Sequence, residues 1–229
     1  MFLKHRSLQA EYFDLPERPD AEVADSYRML REMNGLFLLS EPFKRRFPTW
    51  LGRERCRSLS ILDLGGGDGS LGAELTAWAR KRGWDWQVTN LDINTQAMRL
   101  NPSGRFIAGS ALALPFRDNS FDIVMASQMA HHLGSDDEVC RHFSEAWRVT
   151  KDLLLLNDLH RNVVLYCIVW VLVRLHGYPE HFCSDGVVSV LRSWRVGEWR
   201  ALAARAGIPN ARVALYAGAR VLLSARKAV

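Results

Sequence analysis

The 229 residues suit one α/β domain with a full core and an N-terminal extension. Four cysteines, Cys56, Cys140, Cys167 and Cys183, show no C-x-x-C spacing, which argues against zinc, an iron–sulfur cluster or a disulfide frame, so no metal is expected. The net charge of +5 comes mostly from scattered arginines, and no signal peptide or basic-apolar leader opens the sequence, so a reducing, cytoplasmic setting is expected. From the start, residues 1 to about 25 are polar, with Pro16 and Pro19, and read as an ordered arm or short helices. Asp25 is placed to cap a helix through Tyr27, Leu30, Met33 and Asn34 that closes near Gly35. The aromatics Tyr12, Phe13, Phe37, Phe43 and Trp50 suit the core of a helical cover, with some facing a pocket beneath it. Lys44-Arg45-Arg46 with Arg53, Arg55 and Arg57 is the densest basic run: either a solvated linker face or a patch for nucleic acid or anionic membrane.

The stretch from Ile61 to Gly72 is the most informative in the chain. Leu59 to Leu64 reads as a buried parallel strand that the glycines end. From Ser70 the pattern turns helical, with Leu71, Leu75, Trp78 and Ala79 on one face before Gly83. A glycine turn between strand and helix lets backbone approach a ligand and aims helix N–H groups at it. Gly67-Asp68-Gly69-Ser70-Leu71-Gly72 matches G-x-G-x-x-G, and Asp92 follows at the roughly 20-residue interval of a dinucleotide fingerprint. Asp63 gives the longer spacing D-x-G-x-G-x-G. It would repel a pyrophosphate, with Asp68 adding to the repulsion, and would welcome the ammonium of a methionine tail.

That spacing resembles motif I of the class I S-adenosylmethionine (SAM) methyltransferases, in their small-molecule, methyltransferase type 11/25-like branch. The resemblance runs from about Leu59 to the C-terminus. It implies a Rossmann-like α/β fold: a seven-stranded, mostly parallel sheet with an antiparallel C-terminal hairpin and an N-terminal helical lid. It also implies SAM as cofactor, held by Asp63, Gly65 and Gly67. Residues 1–55 would be the lid and substrate cap, and 56–229 the SAM-binding domain. One bacterial group of such enzymes carries an L-R-x-L-x-x-x-N-like lid helix. Tyr27 to Asn34 is similar, with Tyr27 in place of the first Leu, and would bring Arg28 to the methionine carboxylate; the alternative is a surface arginine.

The second strand, Trp86 to Leu91, ends in Asp92-Ile93-Asn94. It resembles motif II, in which Asp92, beside Ile93, takes the ribose hydroxyls. After a third strand, Phe106 to Ala108, Gly109 to Phe116 is similar to the family pattern G-D-A-x-x-L-P-F. Ser110 stands where the pattern has Asp, so a hydroxyl would accept from the adenine amine, and the backbone of Ala111 would carry more of the recognition. The fourth strand, Phe121 to Ala126, leads into Ser127-Gln128-Met129-Ala130-His131-His132-Leu133. Its end would lie beside the transferable methyl, with Ser127 next to the cofactor. Neither N-P-P-Y, D-P-P-Y nor Pro-Cys occurs here, which sets aside the nucleic-acid amino and pyrimidine-carbon chemistries. The His-His-Leu ending resembles small-molecule and quinone methyltransferases. One of His131 and His132 would be structural, and either would serve as base for a phenol.

A helix from about Asp136 to Val149 precedes the fifth strand, Leu153 to Leu156. Asn157-Asp158-Leu159-His160-Arg161 then emerges at a carboxyl strand end, where His160 is the rival base and helix capping by Asn157 or Asp158 is the alternative. An insertion of about 160–196 follows. Its apolar run, Val163 to Val173, is shorter than the roughly 20 residues of a membrane span. Being apolar all round, it would be buried by lid, substrate or the second copy of a homodimer. His181 to Gly186 and Val187 to Trp194 would form the other wall of a hydrophobic acceptor pocket. A helix from Glu198 to Ala206 is closed by Gly207, and Arg212–Tyr216 with Val221–Ala225 read as a terminal hairpin. The expected activity is SAM-dependent methyl transfer to a hydroxyl of a small, largely apolar aromatic or polyketide-like acceptor. Carbon methylation of a quinone-like molecule, a non-catalytic SAM-binding protein and RNA methylation are the alternatives.

Overall fold

The structure, a computed structural model, describes residues 3–15, 18–52, 54–101 and 104–227. Pro16, Arg53 and the side chain of Arg55 lie outside the described residues. Helices α1 (Asp20–Leu36) and α2 (Glu41–Leu51) precede the first strand. Helix α1 begins at Asp20 rather than after Asp25: Pro19 sets its boundary, and Asp20 and Glu22 occupy the first turn, where the helix dipole favours acids.

Strands β1 (Ser58–Leu64), β2 (Asp85–Asp92), β3 (Arg105–Ala108), β4 (Phe121–Ser127), β5 (Thr150–Leu159), β6 (Arg212–Tyr216) and β7 (Arg220–Arg226) form one sheet. Their order is β3-β2-β1-β4-β5-β7-β6. Strand β1 pairs in parallel with both β2 and β4, and Asp63 stands level with Asn90 and Met125. Strand β7 runs antiparallel to both β5 and β6. The expected sheet and terminal hairpin are therefore present. Strand order reverses between β1 and β4, where an open sheet leaves a crevice at its carboxyl edge.

Helices α3 (Ser70–Arg80), α4 (Thr95–Arg99), α5 (Asp136–Val149) and α8 (Val196–Arg205) connect the strands, with α6 (Val163–Leu175) and α7 (Glu180–Arg192) inserted after β5. One sheet face buries Leu62, Leu91, Val124 and Leu154 against Phe143 of α5 and Trp199 of α8. The other buries Ile61, Val88, Met125 and Leu153 against Leu75 of α3 and Phe43 and Phe47 of α2. Helix α2 is thus part of the sheet's own core, whereas a cover spanning all of residues 1–55 was expected.

The insertion also departs from expectation. Helix α6 buries Leu165, Val169 and Val173 among Met29, Met33 and Phe182, but Val163, Val164, Ile168, Val171 and Leu175 stay exposed. Among the described residues, this all-apolar helix is thus covered on one side. In the basic run, Lys44 meets Glu74 at 2.6 Å, Arg45 meets Glu41 at 3.2 Å and Arg57 meets Glu54 at 3.1 Å, so nearby acids offset these charges. No helix among the described residues is long and apolar enough to cross a membrane.

Candidate active site

Gly65 and Gly67, in the turn after β1, have φ of +68° and +54°, a region that L side chains enter at a cost of roughly 1–2 kcal/mol. A Cβ on Gly67 would also lie 2.8 Å from Cε1 of Tyr27. The turn's glycine N–H groups are committed internally. Gly65 and Gly66 donate to the Leu91 carbonyl at 2.8 and 3.2 Å, Gly69 to the Gly66 carbonyl at 2.8 Å, and Gly67 to Asp92 Oδ2 at 2.7 Å. A diphosphate needs such donors free. The geometry turns the dinucleotide reading away.

Asp63 is buried, and its Oδ2 has no hydrogen-bond partner. Burial, and then the charge of Asp92, pushes its carboxyl up to about 8. A buried polar atom left unpaired is costly, and an ammonium in the cavity would satisfy it. Asp92 closes β2, its Oδ1 accepting the Asn94 N–H at 2.8 Å. The Ser110 hydroxyl accepts the Leu112 N–H at 3.2 Å, and the Ser127 hydroxyl accepts from the Asn157 amide at 2.9 Å. Asp63, Gly65, Gly67, Asp92, Ile93, Ser110, Ala111 and Ser127 all border one cavity of about 1070 Å³. A pocket for one small ligand holds roughly 300–1,000 Å³, so this one has room for a cofactor and an acceptor together.

Arg28 does not reach it. This residue pairs with Asp25 at 3.3 Å and Glu32 at 3.0 Å on the solvent side of α1. Arg31 borders the cavity instead and pairs with Asp68. The pattern match located the helix but not its rotation about its own axis. Arg18 borders the cavity too, its Nη2 buried without a partner.

After β4, a short 3-10 turn, Ala130–His132, sets the two histidine rings side by side, with centroids 4.2 Å apart. Asp158, fully buried in β5, accepts the His131 N–H at 3.0 Å with Oδ2 and meets its Nδ1 at 2.6 Å with Oδ1. Burial works to raise the Asp158 carboxyl, but the charge and hydrogen bonds of His131 outweigh it and hold the group below its ordinary range. Asp14 meets Nδ1 of His132 at 2.6 Å. Burial opposes its charge as well, yet His132 and Arg192 bring it down to about 2. Glu11 enters from the N-terminal arm with Oε1 buried and unpartnered, 3.8 Å from both His131 Nε2 and Arg192 Nε. Burial, against an opposing pull from His132, pushes its carboxyl up to about 7. Arg192 braces the group, donating to the His131 carbonyl at 2.9 Å, the His132 carbonyl at 2.7 Å and Asp14 at 2.7 Å.

His131 and His132 both border the cavity, and His160 does not. The chain has passed the cavity by His160, which bridges to Trp194 and lies 3.0 Å from the Asn162 amide. Burial, then Arg195 and Arg161, lowers its pKa. From the insertion, α7 contributes Phe182, Asp185, Gly186 and Ser189 to the wall, while α6 contributes nothing. Glu11, Asp14, Arg31 and Arg192 were not singled out from the sequence. Only Asp158 had a usable signal there, as a carboxylate at a strand end.

A family model described as "Methyltransferase domain" matches residues 62–153. The chain is similar to the demethylmenaquinone methyltransferase of Roseiflexus sp. (strain RS-1), 31% identical over 149 residues that cover 62% of this chain and 57% of that one. It is also similar to the ubiquinone/menaquinone biosynthesis C-methyltransferase of Rickettsia felis, 29% identical over 146 residues, with coverages of 58% and 55%. The chain thus spans a little over half the length of the curated relatives it matches. A SAM-dependent methyltransferase of known structure from Aquifex aeolicus has the same fold, with a TM-score of 0.61 at 17% identity over 92% of this chain and 99% of that one. The seven-stranded sheet is the Rossmann-like fold of class I SAM-dependent methyltransferases, and a methyltransferase domain model matches it over residues 62–153.

Proposed function

We propose that this chain transfers a methyl group from SAM to a hydroxyl of a small, largely apolar aromatic or polyketide-like acceptor. One observation carries the reading: Asp63 presents a buried, unpartnered carboxylate oxygen in a cavity whose glycine-turn amides are already committed. Those groups suit an ammonium and not a phosphate. Asp92 would hold the ribose hydroxyls, and Ser110 with the backbone of Ala111 the adenine. Arg31 and Arg18 supply positive charge for a carboxylate, a role the sequence had given to Arg28. Bound SAM supplies a methyl on a sulfonium, so the leaving group is already activated.

The protein's own task is then alignment, for which effective molarities reach ~10⁵–10⁸ M. His131 has Nδ1 committed to Asp158, which leaves Nε2 to accept a hydrogen bond from an acceptor hydroxyl. His132 stands beside it, and Phe182 of α7 offers apolar wall. The arm around Glu11 and helix α1 line the cavity, so they, rather than α2, would form the substrate cap. The exposed face of α6 is where the second copy of a homodimer would pack.

A second reading, methylation at a ring carbon of a quinone-like acceptor, is favoured by the activities for which the two curated relatives are named. Incubation with methyl-tritiated SAM and a panel of 2-naphthol, catechol and 1,4-naphthohydroquinone tests both. Label in an extractable product supports methyl transfer, and the proton spectrum of that product separates O-methyl from C-methyl. SAM binding with no label in any acceptor would leave a SAM-binding protein without catalysis.

A further inference from the structure

Both cavity histidines are held in the same way. Each Nδ1 lies 2.6 Å from a carboxylate oxygen, of Asp158 for His131 and of Asp14 for His132. A hydrogen donated from Nδ1 leaves the lone pair on Nε2. Carboxylate–histidine pairing of this kind is how proteins orient imidazoles towards a metal ion. A third group is left without a hydrogen bond: Glu11 Oε1, buried, 3.8 Å from both His131 Nε2 and Arg192 Nε. That gap is too long for a hydrogen bond. It fits two ligands on one ion, given metal–ligand bonds of about 2.0–2.2 Å.

We propose that Glu11, His131 and His132 form a binding site for a divalent first-row transition ion. One ligand atom from each lies within 4.8 Å of the others. Glu11, Asp14 and Asp158 supply negative charge, against which the packed elements set Arg192 and Arg6, the latter donating to the His131 carbonyl at 2.9 Å. A dication therefore enters a region that is not net positive. Two imidazoles and one carboxylate suit Zn²⁺, Co²⁺ or Fe²⁺, whereas Mg²⁺ and Ca²⁺ prefer shells of oxygen. Cysteine spacing, which argued against zinc in the sequence, says nothing about a site built from imidazoles.

All three residues border the cavity, so the remaining coordination position opens into it. Its role rests on the methyl-transfer reading: with the His131 Nε2 lone pair given to the ion instead of directly to the acceptor, an acceptor oxygen bound there would have the pKa of its hydroxyl lowered by the ion. That narrows the acceptor to a phenol or enol with an ionisable oxygen. The ion site itself stands without that reading.

The test is calorimetric titration of the chelator-treated 229-residue chain with Zn²⁺, and titration with Co²⁺ followed by visible absorption. One Zn²⁺ per chain and a Co²⁺ d–d band are expected. Both should weaken at least about 100-fold in Glu11→Gln and His132→Asn, and roughly 10–100-fold in the positioning variant Asp14→Asn. SAM titration of the same preparations reports whether each variant is folded; should Glu11→Gln fail to fold, the half-buried His132→Asn carries the comparison. Absence of Zn²⁺ and Co²⁺ binding in the unmodified chain, or wild-type ion affinity in folded variants, would overturn the site. Ion binding without SAM binding would keep the site and remove the methyl-transfer reading; SAM binding without ion binding would do the reverse.

Discussion

Asp158 grips His131 at two atoms, accepting its backbone N–H at 3.0 Å and meeting its ring Nδ1 at 2.6 Å. One carboxylate thereby fixes both the turn after β4 and the orientation of the imidazole in it. Asp158→Asn replaces one acceptor oxygen with a donor, so one of the two contacts is lost. Hydrogen bonds to charged groups contribute about 1.5–3 kcal/mol. Urea unfolding should show a loss of that size, and methyl transfer should fall by roughly tenfold or more. An Asp158→Asn chain with unchanged stability and rate would show that the pair orients nothing of consequence.

The two arginines of α1 separate cleanly. Arg31 borders the cavity and pairs with Asp68, while Arg28 is paired with Asp25 and Glu32 in solvent. Surface pairs of the second kind contribute about 0–1 kcal/mol. SAM affinity by calorimetry should fall roughly tenfold in Arg31→Ala and change less than about twofold in Arg28→Ala. The opposite ranking would restore Arg28 to the carboxylate.

Gly67→Ala should cost SAM binding. The new Cβ would meet the Tyr27 ring at 2.8 Å, at a φ of +54°. The backbone strain alone is about 1–2 kcal/mol, and Tyr27 must move as well. A thermal midpoint several degrees lower and SAM affinity weakened at least about tenfold are expected. Wild-type affinity would mean that the turn does not touch the cofactor.

Helix α6 offers a test of the homodimer. Val164 is 67% exposed and Val169 only 5%. Val164→Asp should leave the thermal midpoint unchanged and shift size-exclusion elution to the monomer. Val169→Asp should unfold the chain instead, because it buries an unpaired charge. Elution of Val164→Asp at the wild-type volume would rule out a dimer through this face.

What the sequence made legible was whatever rests on local pattern. Helix α5 was read to its ends, because Ser135 caps it and Thr150 leaves it in extended backbone. The glycine turn and the acid ending β2 were read from fixed spacing. The rotation of α1 was not, since the apolar residues that seat it, Val23, Met29 and Met33, form only a loose stripe. Glu11 and Asp14 reach the histidines across more than a hundred residues of chain, and Arg192 from the last residue of α7, within the insertion. Nothing in the neighbourhood of those three residues reports such a contact. Residues 163–173 misled for another reason: composition sets how apolar a helix is, but tertiary packing decides how many of its sides are covered.

Asp63 tests the whole reading most directly. Its carboxyl, ordinarily at 3.8, is raised to about 8 by burial and by Asp92. An acid raised on folding binds its proton more tightly in the folded chain, so its contribution to stability falls as pH rises between those values. Asp63→Asn should therefore raise the thermal midpoint of the ligand-free chain at pH 7 and above. An ammonium beside Asp63 reverses the balance and expels the proton. The measurement is calorimetric titration with SAM, and with NADH, at pH 7 in two buffers of different ionisation enthalpy. SAM should bind with release of close to one proton, Asp63→Asn should bind SAM roughly 10–100-fold more weakly without that release, and NADH should give no heat of binding. Binding of NADH without binding of SAM, or an Asp63→Asn chain that takes SAM with undiminished affinity, would contradict it.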